Sequence, residues 1–403
     1  MGLAAAQTRC TLRATRVAVL TLAAPQDSTV SVKDEVVAQP EPPGQGAPPS
    51  PRAPAREERN GRPWHGYHHY RRYSNGHSYA ALDLGTNNCR LLVAEPAPYG
   101  FRVMDAFSRI VRLGEGLGFA NRLGDAAIER TIEALRVCKN KMENRNAARA
   151  RLVATEACRL ADNGAAFVAR VQDELGMELE VVDRRTEAYL AVTGCAALAD
   201  PRAHSVVIFD IGGGSTEIAW LDGKAASPLG DPTKRIRAWD SLPVGVVTLA
   251  ERHGGIDVTR NNFEAMVEEV TDLLSPFELV AGAAAYLPEF HLLGTSGTVT
   301  TVGGIHLKLP RYDRRRVDGM WMNDSDVTQV IEDLLDTPFD RRALNPCIGR
   351  DRADLVLAGC AILEAIRRAF PADRLRIADR GLREGILMNL MREDGVWRRG
   401  GRG

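Results

Sequence analysis

Two stretches of the sequence place an acidic residue directly before a glycine turn. YAALDLGTNNCRLLVAE begins at residue 79 and VVIFDIGGGSTEIAWLD at residue 206, and the two superpose without a gap, Asp83 on Asp210 and Gly85 on Gly212. In each copy an apolar run ends at the acidic residue, turns, and resumes as a second apolar run. Glycine permits a positive φ and a close approach to the backbone, and successive turn N–H groups form a nest for an anion. The repeat predicts two loops with two carboxylates that hold a phosphate between them.

The second copy carries the stronger signal. One Asp-x-Gly turn alone is most often only a turn, but residues 212–214 are three consecutive glycines in an apolar context. Each costs roughly 0.5–1 kcal/mol relative to alanine, which packing does not return unless the backbone meets a partner closely. A third turn, LLGTSGTVTTVGG, follows a strand-like run at residues 290–293 and offers further backbone donors.

The elements that would position these turns alternate along the chain from Ser78 onward. Apolar runs such as SVVIFDI and FHLLGT alternate with helical stretches over residues 126–142, 165–175, 187–199, 263–274 and 353–370. This pattern predicts an α/β fold with mainly buried sheets. At ~150 residues per domain, the region is long enough for two domains, which we place at 78–202 and 203–395, with a flexible tail over 396–403.

Composition excludes several classes of function. The 403 residues include 52 Lys plus Arg against 52 Asp plus Glu, so no global field favours nucleic acid or an anionic membrane. No apolar run approaches the ~18 residues of a membrane-spanning helix. The seven cysteines are odd in number and scattered, which favours reduced thiols and a cytoplasmic location.

The first 77 residues differ from the rest. Tracts such as QPEPPGQGAPPSPRAP cannot bury enough apolar area to offset chain entropy, so we predict a disordered arm. Two alternatives remain open for parts of it. Three arginines before VAVLTLAA resemble a weak signal peptide, although the apolar run is short. WHGYHHYRRY could contact nucleic acid or a metal, although a solvated linker is the simpler interpretation.

The motifs resemble those of a known family. The paired hairpins are similar to the two phosphate loops of the actin-like, hexokinase and heat-shock-70 ATPase superfold. In chain order, ALDLGTNN, VATEACR, RTEAYLAVTG, VVIFDIGGGSTEIA, LLGTSGTVTTVGG and DRADLVLAGCAILEAI resemble segments of the exopolyphosphatase / guanosine pentaphosphate phosphohydrolase (Ppx/GppA) family, over residues 79–391. The resemblance implies two actin-like (ribonuclease H-like) domains with a phosphate-binding cleft between them.

The resemblance also implies residue roles. Glu187 resembles the family's catalytic base, which orients or deprotonates the water that attacks a terminal phosphoryl group. Asp210 resembles the catalytic acidic residue that works with Mg²⁺, and Asp83 and Glu217 are assigned to the metal with it. The phosphate-binding set comprises Asp83, Gly85, Thr86, Asn87, Asn88, Arg159, Gly212, Gly213, Gly214, Ser215, Thr216, Gly297 and Arg352. Phosphoryl transfer independently needs these parts: positioning, a metal, N–H or cationic donors, and a group that orients the nucleophile.

The sequence departs from the family pattern in three places. Asn88 stands where a Ser or Thr hydroxyl is common in the family. Arg184 and Arg185 replace an acidic neighbour before Glu187, and we expect their charge to keep Glu187 ionised. The C-terminal helical (HD-like) domain of long members is expected to be absent, so long-chain polyphosphate binding through that domain is not expected.

Three classes of function follow. The favoured one is a Mg²⁺-dependent exopolyphosphatase that releases terminal orthophosphate from polyphosphate, with guanosine pentaphosphate 5'-phosphohydrolase activity as a close alternative. The others are an ATP-dependent kinase on the same fold and an actin-like scaffold without turnover. The partners expected are polyphosphate or guanosine pentaphosphate, with no nucleic acid and no membrane, and a homodimer is kept as a hypothesis.

Overall fold

The described residues form two sheets, and apart from the short strand β1 (Ala18–Val19) the strands of the second sheet all follow those of the first along the sequence. A computed structural model describes residues 18–19, 77–98, 100–223 and 231–397. The predicted arm over residues 1–77 and tail over 396–403 fall largely outside these ranges. The α/β class with two sheet domains, predicted from the alternating pattern, is confirmed.

The first sheet has the strand order β4-β3-β2-β5-β6. Its strands are β2 (Ser78–Leu84), β3 (Asn88–Ala97), β4 (Gly100–Ile110), β5 (Ala147–Ala154) and β6 (Glu180–Val181). The three strands β2, β3 and β4 form an antiparallel meander, and β5 runs parallel to β2. The helices around this sheet are α1 (Leu117–Ala120), α2 (Asp125–Asn144), α3 (Glu156–Leu160) and α4 (Gly164–Leu175).

The second sheet has the strand order β1-β9-β8-β7-β10-β12-β11. Its strands are β1 (Ala18–Val19), β7 (Ser205–Ile211), β8 (Thr216–Asp222), β9 (Ile236–Leu242), β10 (His291–Thr295), β11 (Trp321–Asn323) and β12 (Arg374–Ala378). It contains the same arrangement as the first sheet: β7 and β8 form an antiparallel hairpin, and β10 lies parallel to β7. The sequence repeat therefore corresponds to a repeated arrangement of a hairpin and a parallel strand.

The remaining helices are α5 (Arg184–Cys195), α6 (Val246–His253), α7 (Arg260–Ala281), α8 (Ser296–His306), α9 (Arg314–Val317), α10 (Asp324–Leu335), α11 (Phe339–Leu344), α12 (Val356–Ala369) and α13 (Leu382–Glu393). No helix among the described residues is long and apolar enough to cross a membrane.

Helices α5 and α13 lie between the two sheets. Leu190 of α5 and Ile386 of α13 are buried with Tyr79 and Leu92 against the first sheet, whereas Val192 of α5 is buried against the second. The C-terminal helix α13 thus packs on the first sheet, although it follows the last strand of the second. The two helices cross closely, since a Cβ on Gly385 would lie 2.0 Å from the carbonyl oxygen of Leu190. Close packing between the sheets fixes the helix that carries Glu187.

The start of α5 places Glu187 in the first turn of that helix. Helical periodicity predicts a start at Glu187, but the helix begins at Arg184 because Asp183 acts as its N-cap, accepting a hydrogen bond from the Thr186 N–H at 2.7 Å. Glu187 consequently occupies the first turn and is buried, at 8% exposure. A carboxylate at this helix end is favoured by the helix dipole.

Candidate active site

The two hairpin turns face each other across a pocket of about 90 Å³. Its walls comprise Asp83, Gly85, Thr86, Asn87, Asn88, Arg90, Thr155, Glu187, Asp210, Gly212, Gly213, Gly214, Ser215, Glu217, Thr295, Ser296, Asp379, Arg380, Gly381, Leu382, Arg383 and Glu384. Most of the residues predicted as a site therefore converge on one pocket. The first turn (residues 85–88) is called loop 1 below, and the second (residues 212–215) loop 2.

The loops have the same internal geometry. The Gly85 N–H donates to the Asn88 carbonyl at 2.9 Å, and the Gly212 N–H donates to the Ser215 carbonyl at 3.0 Å. The prediction that these glycines adopt positive φ is wrong, because none of the loop glycines lies in the left-handed region. A Cβ on Gly213 would instead lie 2.9 Å from the Cβ of Thr86 and 3.1 Å from the Asn87 nitrogen. Gly213 is thus required because the two loops approach each other, which no side chain would allow.

Two buried polar atoms of loop 1 lack a partner among the described residues. The Thr86 hydroxyl oxygen and the Asn87 side-chain oxygen make no hydrogen bond to another described residue, although both residues are 95% buried or more. A buried polar group without a partner costs roughly 1–3 kcal/mol. Ligands in the pocket, such as water, a cation or a phosphate group, would satisfy them.

Six carboxylates line the pocket: Asp83, Glu187, Asp210, Glu217, Asp379 and Glu384. Burial, together with repulsion from Asp83, raises the pKa of Asp210 to about 6, against the opposing charge of Arg90. Burial also raises the pKa of Asp83. Burial and repulsion from Glu187 and Asp210 raise the pKa of Glu217, whose Oε1 accepts a hydrogen bond from the Ser241 hydroxyl at 2.8 Å. Burial and mutual repulsion disfavour the ionised form of these carboxylates, and a bound cation would stabilise that form.

Glu187, another carboxylate of this pocket, accepts a hydrogen bond from an arginine. The Arg159 Nη2 donates to the Glu187 Oε2 at 2.9 Å. Burial raises the pKa of Glu187 to about 7, although the charge of Arg159 opposes this rise. The expectation that Arg184 and Arg185 keep Glu187 ionised is therefore wrong: Arg184 binds Glu156, and Arg185 stacks on the ring of Tyr189. A carboxylate with a pKa near neutrality suits a general base.

Glu156 connects these arginines and was missed by the sequence reasoning. It is 1% exposed and accepts hydrogen bonds from both Arg159 and Arg184, the latter at 2.7 Å. Arg159 also donates to the carbonyl of Val182. Arg159 does not line the pocket; its guanidinium points to Glu156 and Glu187 instead. Its predicted contact with phosphate remains a prediction, and what the structure shows is a contact with Glu187.

Three other predicted residues lie away from the pocket walls. The Thr216 hydroxyl donates to the Val244 carbonyl at 2.7 Å and is fully buried in the sheet. Gly297 and Arg352 line a second, adjoining pocket, which shares Asn87 and Arg90 with the first. This second pocket has apolar walls that include Ile211, Val246, Ile348, Leu355 and Val356.

Arg90 is the cation that sequence reasoning missed in loop 1's hairpin. It pairs across the hairpin with Asp83, as Glu217 pairs with Asp210 in the second hairpin. The repeat carried the signal, because Arg90 superposes on Glu217 in an otherwise apolar strand. Arg90 makes no hydrogen bond or ion pair to another described residue, which leaves its guanidinium for a ligand.

The start of α13 contributes a second missed group. Arg383 and Glu384 line the pocket. Burial alone would raise the pKa of Glu384, but the charges of Arg383 and Arg314 outweigh it and lower the pKa to about 2. Glu384 also accepts from the Gly381 N–H at 2.9 Å and from Arg314 at 2.8 Å. Glu384 is therefore an ionised carboxylate that binds Arg314 and the Gly381 N–H in this part of the pocket. No motif in the sequence distinguished it from an ordinary carboxylate at a helix start.

The donor set fits a hard divalent cation that is shared with substrate. No group of three or more His, Cys, Asp or Glu side chains within the described ranges converges closely enough to hold a metal ion by itself. Mg²⁺, however, is commonly held by one or two carboxylates together with waters and substrate phosphates. Asp83, Asp210 and Glu217, with the unpartnered oxygens of Thr86 and Asn87, supply oxygen donors of that kind.

Comparison with known proteins shows which family the chain resembles. A model of the Ppx/GppA phosphatase family matches residues 92–394. The solved Aquifex aeolicus member of the Ppx/GppA protein family is 27% identical, covers 79% of this chain and 99% of its own, and has a TM-score of 0.63. An exopolyphosphatase-like protein is 26% identical, with coverages of 78% and 99% and a TM-score of 0.70.

A more distant structure shows the fold alone. The exopolyphosphatase from Cytophaga hutchinsonii is 21% identical, covers 79% of this chain and 98% of its own, and has a TM-score of 0.70. The two sheets, the paired loops and the pocket between them agree with the family match, which spans most of the chain. The protein therefore belongs to the Ppx/GppA phosphatase family.

Proposed function

We propose that the protein is a Mg²⁺-dependent exopolyphosphatase that releases terminal orthophosphate from inorganic polyphosphate by attack of water. The observation that carries this proposal is the position of Glu187: a buried carboxylate with a pKa near 7 that lines the same pocket as both glycine loops. A base of that pKa beside two phosphate-sized loops suits hydrolysis of a phosphoanhydride.

Each part of the reaction has a candidate group in this chain. Glu187 orients a water molecule and accepts its proton, while Arg159 fixes the carboxylate by donating to Oε2. Loops 1 and 2 hold the terminal phosphoryl group between them, and the free guanidinium of Arg90 faces its oxygens. Asp83, Asp210 and Glu217 supply carboxylate oxygens that would hold Mg²⁺ together with waters and the substrate, and the bound cation would supply positive charge to the phosphate oxygens.

A second candidate is guanosine pentaphosphate 5'-phosphohydrolase activity. The apolar walls of the adjoining pocket favour it, because Ile211, Val246 and Leu355 could contact a nucleoside that follows the phosphates. A kinase is less well supported because it would need an acceptor pocket and an adenosine site in addition to a base. A non-catalytic scaffold is less well supported because it needs no buried base such as Glu187 at the phosphate pocket.

Two further proposals concern the state of the protein in the cell. The six cysteines within the described residues, from Cys89 to Cys360, are free and buried, which supports the proposal of a reducing, cytoplasmic location. A homodimer remains a hypothesis to be tested by light scattering.

One assay series separates these functions. The full chain is offered short polyphosphate, long polyphosphate, guanosine pentaphosphate and ATP, each with EDTA, Mg²⁺ or Ca²⁺, while orthophosphate and ADP are measured. The proposal expects Mg²⁺-dependent orthophosphate release from polyphosphate without ADP. Faster release from guanosine pentaphosphate would favour the second candidate. ADP formed without an equal amount of orthophosphate would indicate transfer to an acceptor, as in a kinase. No turnover with any substrate would contradict the proposed function.

A further inference from the structure

The segment that follows β4 ties loop 1 to the second domain. The N–H groups of Val111 and Arg112 donate to the Asn87 carbonyl at 2.9 and 3.0 Å, and the Gly114 N–H donates to the Thr86 carbonyl at 2.9 Å. Both acceptors belong to loop 1. Residues 111–117, called the strap below, are therefore attached to loop 1 by three backbone hydrogen bonds.

The strap crosses to the second domain at two points. The Arg112 guanidinium donates to both carboxylate oxygens of Asp354, at 2.9 and 3.0 Å, and to the carbonyl of Asp351 at 3.0 Å. The Gly116 N–H donates to Glu251 Oε1 at 2.7 Å. The other Glu251 oxygen is buried without a partner among the described residues. Arg112 has a left-handed backbone, φ 48°, which a bulky residue adopts only where its surroundings demand it.

One point of attachment is connected to loop 2, and the other to the adjoining pocket. Glu251 lies on α6, whose first N–H groups, those of Val246 and Val247, donate to the Gly212 and Gly213 carbonyls of loop 2 at 3.0 and 2.8 Å. Asp354 follows the short turn that contains Arg352, a residue of the adjoining pocket. Through Glu251 and α6 the strap joins loop 1 to loop 2, and through Asp354 it joins loop 1 to the turn at the adjoining pocket.

We propose that Arg112 and Asp354 form an interdomain latch that positions the two phosphate loops against each other. Neither residue contacts the proposed phosphoryl site, so both are positioning residues. A bidentate pair between arginine and carboxylate fixes orientation as well as distance, which a single contact does not. This latch rests on the proposed function only for its kinetic consequences; its effect on the loops themselves does not depend on the substrate.

The spacing of loops 1 and 2 depends on how the two domains are held together. A Cβ on Gly213 would lie only 2.9 Å from the Cβ of Thr86, so the two loops are in close contact. A small separation of the domains would therefore change the spacing of the loops. If the latch opens, the fraction of molecules with paired loops falls, and apparent substrate affinity falls by the same fraction. Coupling free energies of this kind commonly correspond to roughly 5- to 150-fold changes.

A double-mutant cycle tests the latch. The variants are Arg112→Ala, Asp354→Asn and the double variant, measured for kcat and KM of orthophosphate release from polyphosphate. Arg368→Ala is the matched control, because Arg368 makes the same two-pronged contact with Glu264, at 2.8 and 2.9 Å, within the second domain. The latch predicts a rise in KM of about tenfold for each single variant, a double variant no worse than either, and a control like wild type.

Hydrogen exchange supplies a readout that is independent of turnover. In the full-chain protein with no substrate, amides of loop 1, loop 2 and the start of α6 should exchange at least several-fold faster in Asp354→Asn, while those of the core strands β2 and β7 do not change. Faster exchange in a protein that releases no orthophosphate from polyphosphate would leave the latch intact and overturn the proposed function instead, whereas faster exchange with an unchanged KM would overturn the kinetic role of the latch. Unchanged exchange in both latch variants, additive single effects, or equal effects in Arg368→Ala would overturn the latch.

Discussion

Arg159 and Glu187 form a contact between two parts of the chain that are 28 residues apart, with Nη2 and Oε2 separated by 2.9 Å. The arginine lies in the last turn of the short helix α3, and the glutamate lies in the first turn of α5. Because Glu156 binds the same guanidinium, Arg159 is itself held on two sides. The carboxylate of Glu187 is therefore fixed toward the pocket rather than free to rotate.

Glu187→Gln isolates the proton transfer from binding. The amide keeps the size of the side chain but cannot take a proton from water, and general-base contributions are about 10²–10⁴-fold. We expect kcat to fall by that factor while KM changes only a few-fold, measured by orthophosphate release at pH 8.

The matched control is Glu180→Gln. Glu180 also pairs with an arginine, Arg151 at 2.8 Å, but lies at the edge of the first sheet. It should retain wild-type kcat. A Glu187→Gln enzyme within a few-fold of wild type would exclude Glu187 as the base and direct attention to Glu217, the nearest buried carboxylate on the strand after loop 2.

The pH dependence of wild-type activity follows from the same group. Burial raises the pKa of Glu187 to about 7, so the ionised base is lost as the pH falls through 7. We expect kcat/KM for polyphosphate to rise about tenfold per pH unit below 7 and to level off above it. A profile that levels off near pH 4.5, the ordinary range of a glutamate, would show that burial does not act on the catalytic group in this way.

The repeat of loops 1 and 2 was predictable because it lies in consecutive residues, and so was the α/β alternation. Asp83, Glu187, Asp210 and Glu217 were found because they belong to that repeat or to a family motif. Glu156, Arg383 and Glu384 were not found, because what distinguishes them is long-range packing: Glu384, for example, meets an arginine 70 residues away. The role of the loop glycines was predicted in part, since close approach is confirmed at Gly213 and positive φ is not.

Asp210→Asn should stabilise the protein at alkaline pH in the absence of metal. The pKa of Asp210 is about 6 in the folded state and 3.8 ordinarily. The folded chain therefore holds this proton more tightly, and wild-type stability falls as the pH rises through about 4 to 6, with the loss complete above 6. We expect the variant to gain roughly 1–3 kcal/mol in unfolding free energy at pH 8 in EDTA and little at pH 3.5.

Asp105→Asn is the control of opposite sign. Burial of Asp105 is outweighed by hydrogen bonds from Lys141 and Arg145, which lower its pKa, so its removal should destabilise at pH 8. Added Mg²⁺ should raise the Tm of wild type more than that of Asp210→Asn, because a cation that binds the folded state stabilises it by mass action. Equal Tm shifts would place the metal away from Asp210.

Gly213→Ala and Gly85→Ala separate close approach from backbone flexibility. A Cβ on Gly213 would meet Thr86 at 2.9 Å, whereas one on Gly85 would meet only ordinary contacts, the nearest at 3.7 Å from the Asn88 oxygen. We expect Gly213→Ala to raise KM at least tenfold with its Tm lowered by a few degrees, and Gly85→Ala to remain within a few-fold of wild type. Comparable losses in both variants would mean that loop 1 requires glycine for contact with the ligand as well.

Arg159→Gln distinguishes the two roles open to this arginine. If Arg159 acts through Glu187, removing its charge deletes the interaction that opposes the rise in the pKa of Glu187. The midpoint of the acidic limb of kcat/KM should then move upward from about 7 by roughly 1–2 pH units, since an adjacent arginine lowers the pKa of a carboxyl by 1–3 units.

The outcome at high pH completes the test. At pH 9.5, where Glu187 is ionised in both proteins, the Arg159→Gln enzyme should recover to within about tenfold of wild type if positioning is the only role. If Arg159 contacts the phosphate, kcat/KM stays reduced at every pH and the midpoint remains near 7, because lost binding does not depend on the protonation of Glu187. Arg151→Gln, which removes an arginine from an ion pair at the edge of the same sheet, should change neither the midpoint nor the plateau. A profile of Arg159→Gln that matches wild type in both respects would contradict the contact seen between Arg159 and Glu187 as a determinant of catalysis.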